Sequence, residues 1–254
     1  GIASATINDV AHVARWRSLL ADRDAHMSLF WIDRGGHAQA LERPEDVRRH
    51  LSDPKKQWRD GFSAAELAKS WIGSNGIPDP VASVLRAVPD LSRARLEAGY
   101  FEHRTRLRSR GTASQTDLLA VVQGTQRWTV AVEGKRDEPF GPLVRDWACG
   151  AGKAVRLRDL CEMLDLEADS VGDLRYQLFH RAAAGLLEAR RRGTPSALLL
   201  VHSFSPHATS FDAFQAFAAR LGAPVHAPGG ISTPVTRFEV SLRLAWVHDP
   251  KPIG

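Results

Sequence analysis

The chain has 254 residues, of which 43% are hydrophobic and 25% are charged. This composition is typical of a folded globular protein and excludes a disordered or fibrous chain. The net charge of +5 and the pI near 9.6 suit a polyanionic partner such as DNA or RNA. No apolar run approaches the roughly 20 residues of a membrane span, and no signal peptide is visible, so we expect a cytoplasmic protein with no membrane partner.

Several familiar catalytic motifs are missing from the sequence. The ten histidines include no HxxxH or HExxH pair, which argues against a zinc hydrolase. No GxSxG elbow and no GxxxxGK[ST] phosphate loop occurs. The two cysteines have no CxxC spacing, and we interpret both as structural residues of a reduced protein.

The first third of the chain is mostly helical in pattern. Apolar spacing predicts a helix over residues 10–21, and residues 27–33 form a candidate strand followed by a turn at Gly35 and Gly36. A capping-box pattern at Ser63 and Glu66 predicts a helix through residue 71. Further helices are predicted over residues 79–85 and 91–100. We expect residues 1–56 to form a helix and strand extension that packs on a domain formed by residues 57–254.

The rest of the chain alternates strands and helices. Strands are predicted over residues 116–123, 127–133, 196–203 and 238–247, and helices over residues 173–192 and 211–221. This order predicts an α/β fold with a mixed central sheet flanked by helices.

The two central strands form the most informative segment. Only a short turn around Gly124 and Thr125 separates them, so a hairpin centred near residue 125 pairs positions whose numbers sum to 250. Asp117 would then lie opposite Glu133, with side chains about 5 Å apart at Cβ. Lys135 is two residues beyond Glu133 and projects from the same face.

Two carboxylates beside an ammonium group are typical of a divalent-metal site. Mg²⁺ or Mn²⁺ prefers oxygen ligands and can activate water for attack on a phosphodiester. The lysine would stabilise the charge that develops on the phosphate. The alternative is that these charges simply coat a solvated sheet edge, as charged edge strands often do.

The chain resembles the PD-(D/E)xK nuclease superfamily over roughly residues 57–205. The resemblance is carried by Ser114-Gln-Thr-Asp117, by Val132-Glu-Gly-Lys135, by the helix containing Leu174-Arg-Tyr-Gln-Leu-Phe-His-Arg181, and by the strand Ser196-Ala-Leu-Leu-Leu-Val-His-Ser203. The longer stretches around Glu133 and Tyr176 are also similar to an uncharacterised bacterial family within that superfamily. No proline precedes Asp117, which departs from the motif that names the superfamily.

This resemblance implies a restriction-endonuclease-like core of order α-β-β-β-α-β with a mainly helical N-terminal extension. It also implies catalytic roles for Asp117, Glu133, Lys135 and Gln177, with Mg²⁺ or Mn²⁺ held by Asp117 and Glu133. Members often use one more upstream acid, for which Glu102 is preferred here over Glu97.

Basic residues offer candidate contacts for nucleic acid. Arg104, Arg106, Arg108 and Arg110 alternate, so one extended strand would present them on one face. Arg175 and Arg181, with His180, lie on the helix that carries Gln177. The alternative is that these side chains only solubilise an edge and a helix surface.

The sequence therefore supports two main hypotheses. The first is a metal-dependent phosphodiesterase, or nuclease, that acts on DNA or RNA. The second is a nuclease-like fold used only for binding, as an accessory protein with a protein partner or as a homo-oligomer.

Overall fold

The computed structural model describes residues 28–34, 37–51, 54–58 and 62–251. The predicted helix over residues 10–21 and the predicted turn at Gly35 and Gly36 lie outside the described residues. Within these described ranges, eight strands form a single mixed sheet, which confirms the predicted α/β class. In chain order the strands are β1 (Phe30–Arg34), β2 (His37–Leu41), β3 (Arg95–Thr105), β4 (Ser114–Gln123), β5 (Arg127–Lys135), β6 (Ser196–Ser203), β7 (Val235–Arg237) and β8 (Val240–His248).

Helices cover both faces of the sheet. They are α1 (Pro44–Arg48), α2 (Pro54–Gln57), α3 (Ser63–Gly73), α4 (Asp79–Leu85), α5 (Val144–Trp147), α6 (Ala151–Leu164), α7 (Tyr176–Arg192) and α8 (Phe211–Arg220). One apolar core joins the sheet to α6, α7 and α8, and a second core joins its other face to α1, α3 and α4. Among the residues described, none of the helices combines the length and apolar character needed to cross a membrane.

The strand order across the sheet is β2-β1-β3-β4-β5-β6-β8-β7. Strands β3, β4 and β5 form an antiparallel meander, whereas β6 pairs parallel to β5 after the chain has crossed over through α7. Parallel neighbours need such a long connection. Because β1 pairs with β3, the described part of the N-terminal segment belongs to the same sheet as the rest of the domain.

The hairpin of β4 and β5 has the predicted register. Leu118 pairs with Val132, and the pairing continues to Gln123 and Arg127, so paired residue numbers sum to 250 as expected. These two strands are the central pair of the sheet. Their acids are therefore not on a solvated sheet edge, and that alternative is wrong.

The predicted helix over residues 91–100 is also wrong, because β3 begins at Arg95. Its residues include Leu96, Glu97 and Ala98, which favour helices locally, but pairing with β1 and β4 outweighs that preference. Two helix starts also differ. The long helix begins at Tyr176, three residues later than expected, and α3 has Phe62 as its N-cap, so the predicted capping box does not form.

Candidate functional site

The two acids of the hairpin lie opposite each other at the centre of the sheet. Since Leu118 pairs with Val132, the next position along both strands sets Asp117 opposite Glu133. The backbone N–H of Gly134 donates to Oδ2 of Asp117 at 2.9 Å, which ties the carboxylate to the neighbouring strand. Both acids contribute to one patch on the sheet face that α7 covers.

Glu102 extends this pair to a third strand. His103 pairs with Thr116, and the preceding position on β3 therefore lies opposite Asp117. The Glu102 carboxylate accepts a hydrogen bond from Nε2 of Gln115. Its backbone is left-handed, with φ at 53°, which is uncommon for a residue other than glycine. Three acids thus occupy neighbouring positions on β3, β4 and β5, and we call them the acid row.

Lys135 and Gln177 complete the buried end of the acid row. Nζ of Lys135 lies 3.1 Å from Oε1 of Glu133 and donates to Oε1 of Gln177 at the same distance. Nε2 of Gln177 donates to Oε1 of Glu133 at 2.5 Å. Lys135 is only 4% exposed, and its ammonium lies 4.9 Å from the centroid of the Phe140 ring. Three of the four residues with an expected catalytic role, Glu133, Lys135 and Gln177, are therefore in direct contact.

The middle residue of the Glu-Gly-Lys triplet packs against the opposite helical layer. A Cβ atom at Gly134 would lie 3.3 Å from the backbone oxygen of Ser63 and 3.5 Å from Leu67, both on α3. The absence of a side chain allows α3 to support the strand from behind, while the side chains on either side of Gly134 face α7.

Arg181 lies between the two hairpin carboxylates. Its Nε donates to Oε2 of Glu133, and its Nη2 lies 3.6 Å from Oδ1 of Asp117. Nη1 donates to Oγ of Ser114 at 3.3 Å. Gln177 and Arg181 share one face of α7, as their spacing predicts. Arg181, a candidate nucleic-acid contact from the sequence, is here a buried counter-ion.

The charges of the acid row are unevenly distributed as a result. Burial opposes ionisation of Glu133, but Arg181 and Lys135 outweigh it and lower the pKa of Glu133. Burial and the neighbouring Glu133 raise the pKa of Asp117 well above its usual value, against the attraction of Arg181. The raised direction holds although 28% of the Asp117 side chain is exposed, because a like charge lies directly across the strand pair.

His180 adjoins the acid row but belongs to another surface. Its Nδ1 lies 2.9 Å from Oγ of Ser114, and burial, reinforced by the charge of Arg181, lowers the pKa of His180 to about 3. The imidazole is therefore neutral at ordinary pH.

A family model with the description "Domain of unknown function (DUF6946)" matches residues 40–251. The chain belongs to the DUF6946 family. Neither the curated proteins nor the solved structures include a significant match to it. The matched range contains the acid row, Lys135 and α7, so the candidate site lies within the DUF6946 domain.

The donor chemistry of this DUF6946 site fits a hard divalent cation in part. Asp117, Glu133 and Glu102 offer carboxylate oxygens, the ligands that Mg²⁺ prefers. Both oxygens of Glu133, however, accept hydrogen bonds from nitrogen donors, and Arg181 lies between the two hairpin acids. Within the described ranges, no group of three or more His, Cys, Asp or Glu side chains is arranged to hold a metal ion. A cation would therefore have to displace Arg181.

The arginines upstream of β4 do not form one strand face. Strand β3 ends at Thr105, so Arg104 lies within it, whereas Arg106, Arg108 and Arg110 follow it. All four are exposed. The prediction that one strand carries all four is wrong, because only Arg104 lies within β3. The buried Thr105 and Leu107 alternate with the exposed arginines, so their candidate role in nucleic-acid contact stays a prediction.

Two further candidates lie away from the acid row. Nη1 of Arg175 donates to the backbone oxygen of Gly141 at 2.8 Å, just before α7 begins. Glu97, the alternative upstream acid, pairs with Nε of Arg127 at 2.7 Å near the opposite end of β3. The geometry therefore groups Glu102, and not Glu97, with the hairpin acids.

The surface formed by α5, α6 and the start of α7 was not predicted from the sequence. Helix α6 was not predicted, although Leu157, Leu160, Cys161 and Leu164 have the spacing of a buried helical face. The segment before it, residues 149–153, reads Cys-Gly-Ala-Gly-Lys and could have drawn attention to this surface.

Proposed function

We propose that this domain is a Mg²⁺- or Mn²⁺-dependent phosphodiesterase that acts on nucleic acid. The observation that carries the proposal is the direct contact of Glu133, Lys135 and Gln177 beside Asp117, where α7 packs on the sheet. The acids can bind a cation, the lysine can stabilise charge on the phosphate, and the glutamine can position the lysine. The modest positive charge of the chain is consistent with a polyanionic substrate.

The chain order supports the restriction-endonuclease-like core in this proposal. Helices α3 and α4 precede the meander of β3, β4 and β5, and α7 then leads to β6, which is parallel to β5. That is the α-β-β-β-α-β order implied by the resemblance to the PD-(D/E)xK superfamily. On this proposal, β1, β2, β7 and β8 are additions at the two edges of the core sheet.

Asp117 and Glu133, with Glu102 beside them, would hold the cation. A bound Mg²⁺ or Mn²⁺ ion supplies an activated water and offsets charge on the phosphodiester. Lys135 stabilises the negative charge that develops on the phosphate oxygens, from a position fixed by Gln177 and Glu133. Burial of this lysine strengthens that electrostatic effect, since little water screens it.

Arg181 has two arrangements in this proposal. Without a cation it neutralises Glu133 and limits the repulsion between the two hairpin acids. When a cation takes that place, the guanidinium is released towards Ser114 and can pair with a substrate phosphate, for which its planar fork is well suited.

The test combines cation binding with cleavage. Isothermal titration should show Mn²⁺ binding at millimolar concentration or below, and gel assays should show cleavage of single-stranded or duplex DNA or RNA. Lys135→Ala should fold, bind Mn²⁺ and lose at least about a hundred-fold in rate. Lys69→Ala, on α3 at the opposite face of the sheet, is the matched control and should retain activity. Absence of Mn²⁺ binding, or full activity of Lys135→Ala, would contradict the proposal.

A second candidate is a nuclease-like fold that binds nucleic acid or a protein partner without cleaving. The observation in its favour is that Arg181 and Lys135 already neutralise Glu133, so the site is electrostatically satisfied without a cation. This candidate predicts unchanged nucleic-acid affinity and salt dependence in Asp117→Ala/Glu133→Ala, with no response to Mn²⁺. The phosphodiesterase predicts that Mn²⁺ strengthens binding to the wild type only.

A further inference from the structure

A cleft of about 700 Å³ opens beside the acid row, between the start of β4, the residues before α6 and the first turn of α7. This volume falls in the range of small-molecule and cofactor sites. We call it the α6 cleft. The residues that carry the argument are Arg110, Ser114, Trp147, Lys153, Arg156 and Tyr176.

The charged side chains of the α6 cleft named above are all positive. Arg110, Lys153 and Arg156 all contribute to its walls, and no Asp or Glu is among the described residues that line it. Arg110 and Lys153 are exposed, and Nζ of Lys153 lies 5.5 Å from the centroid of the Trp147 ring, so a ligand phosphate would draw this ammonium away from the ring. Three cations without a compensating carboxylate favour an anionic ligand such as a phosphate group.

An aromatic wall stands beside these charges. The rings of Trp147 and Tyr176 stack with centroids 3.5 Å apart and planes within 11°. Nε of Arg156 donates to the Tyr176 hydroxyl at 2.8 Å, and its Nη2 donates to the backbone oxygen of Thr112 at 2.8 Å. The wall is therefore held in place before any ligand arrives, which lowers the entropy cost of binding.

The α6 cleft and the acid row meet at Ser114 and His180, which both line the cleft and lie within 3.4 Å of Nη1 of Arg181. Ser114 lines the cleft, and its Oγ accepts a hydrogen bond from Nη1 of Arg181 at 3.3 Å. Arg181 in turn contacts Glu133 and Asp117. A strand that places one unit in the cleft would therefore run directly towards the carboxylates.

We infer that the α6 cleft binds one nucleotide of a single-stranded nucleic acid, next to the phosphodiester at the acid row. Arg110 and Lys153 contact its phosphate, and Trp147 stacks on its base. Stacking on an aromatic ring with basic groups along the backbone is the usual mode of single-strand recognition. A paired base cannot reach this ring, so single strands and frayed ends are preferred over duplex. This inference rests on the proposed function for its choice of ligand.

The test measures binding without cleavage. Fluorescence anisotropy in EDTA follows a labelled short oligothymidylate, its oligouridylate counterpart and a blunt duplex. Wild type should bind at least one of the two single strands more tightly than the duplex. Arg110→Ala/Lys153→Ala should reduce the salt slope of log K by about 0.7, because the two side chains contact the phosphate of one nucleotide. Trp147→Leu should weaken single-strand binding about ten-fold.

The matched control is Arg86→Ala/Arg93→Ala, which removes the same charge from exposed positions near α4. Equal losses in the control and in Arg110→Ala/Lys153→Ala would overturn the inference, as would unchanged binding by the latter. That variant changes only exposed side chains, so it keeps the test valid if Trp147→Leu fails to fold. Cleft-dependent binding without Mn²⁺-dependent cleavage would refute the proposed phosphodiesterase alone. Cleavage unaffected by the cleft variants would refute this inference alone.

Discussion

Arg181 donates a hydrogen bond from Nε to Oε2 of Glu133, and the two residues are 7% and 2% exposed. Each charge is therefore removed from water and depends on the other. Lys135 shares the Glu133 carboxylate, so the acid has two cationic partners, whereas Arg181 has Glu133 as its nearest acid and the more distant Asp117 beside it. Losing either member of a buried pair costs far more than losing both.

We expect Arg181→Met to lower the free energy of unfolding by about 3 kcal/mol without Mn²⁺, since it strips Glu133 of one cation. Urea denaturation at neutral pH measures the change. Arg190→Met, an exposed position on the same helix, should shift stability by less than about 0.5 kcal/mol. The loss in free energy of unfolding in Arg181→Met/Glu133→Gln should be smaller than the sum of the losses in the two single variants. Wild-type stability in Arg181→Met would show that the pair contributes nothing.

Asp117→Asn should stabilise the metal-free protein by about 1 kcal/mol at pH 8. The folded state raises the pKa of Asp117, so this group favours folding below its ordinary pKa and loses that contribution as pH rises. The gain should accordingly shrink towards pH 4. Thermal unfolding across this range measures it, with the exposed Asp169→Asn as control. A loss of stability at pH 8 would contradict the assigned pKa direction.

Glu188 should account for part of the loss in folding stability at acid pH. Burial opposes its ionisation, but His103, Arg192 and Arg191 lower the pKa of Glu188 to about 2. Its contribution is complete above the ordinary carboxyl pKa and is lost as pH falls towards 2, an effect of about 3 kcal/mol. Glu188→Gln should flatten the dependence of the urea midpoint on pH between about 5 and 2. Glu162→Gln, at an exposed position, should leave that slope unchanged, and equal slopes in all three proteins would refute the assignment.

His202 should remain neutral with its proton on Nε2. The indole Nε1 of Trp71 can only donate, and it lies 3.2 Å from Nδ1 of His202, while Nε2 lies 3.2 Å from Oδ2 of Asp249. Burial lowers the pKa of His202, although Asp249 opposes this. Nitrogen NMR should show the Nε2-protonated form unchanged from pH 6 to 8. Titration near pH 6.5 would show that the imidazole is open to water.

The hairpin could be predicted from sequence because its register depends only on local features. A short turn at residues 124–126 and two apolar strands fix which residues face each other, so Asp117 and Glu133 could be paired in advance. Strand β3 could not be predicted in this way. Its first residues favour a helix, and only neighbours that are distant in sequence, β1 and β4, make it a strand.

The position of Arg181 between the two acids could not be predicted from the sequence either. Spacing along α7 sets Gln177 and Arg181 on one face, but not the distance of that face from the sheet. The close approach of α7 to β5 makes Arg181 a counter-ion to the acids instead of a surface contact. The contact between Trp147 and Tyr176 also depends on tertiary packing. The segment between them includes α6, which was not predicted from the sequence.

The left-handed backbone of Glu102 gives a way to judge why an acid stands there. A side chain at φ of 53° inside a strand costs about 1 kcal/mol or more, and glycine would adopt the same conformation without that cost. The fold alone would be served better by glycine. A glutamate here therefore adds a carboxylate that the backbone does not need, and among the described residues its position on β3 lies opposite Asp117 and, beyond it, Glu133.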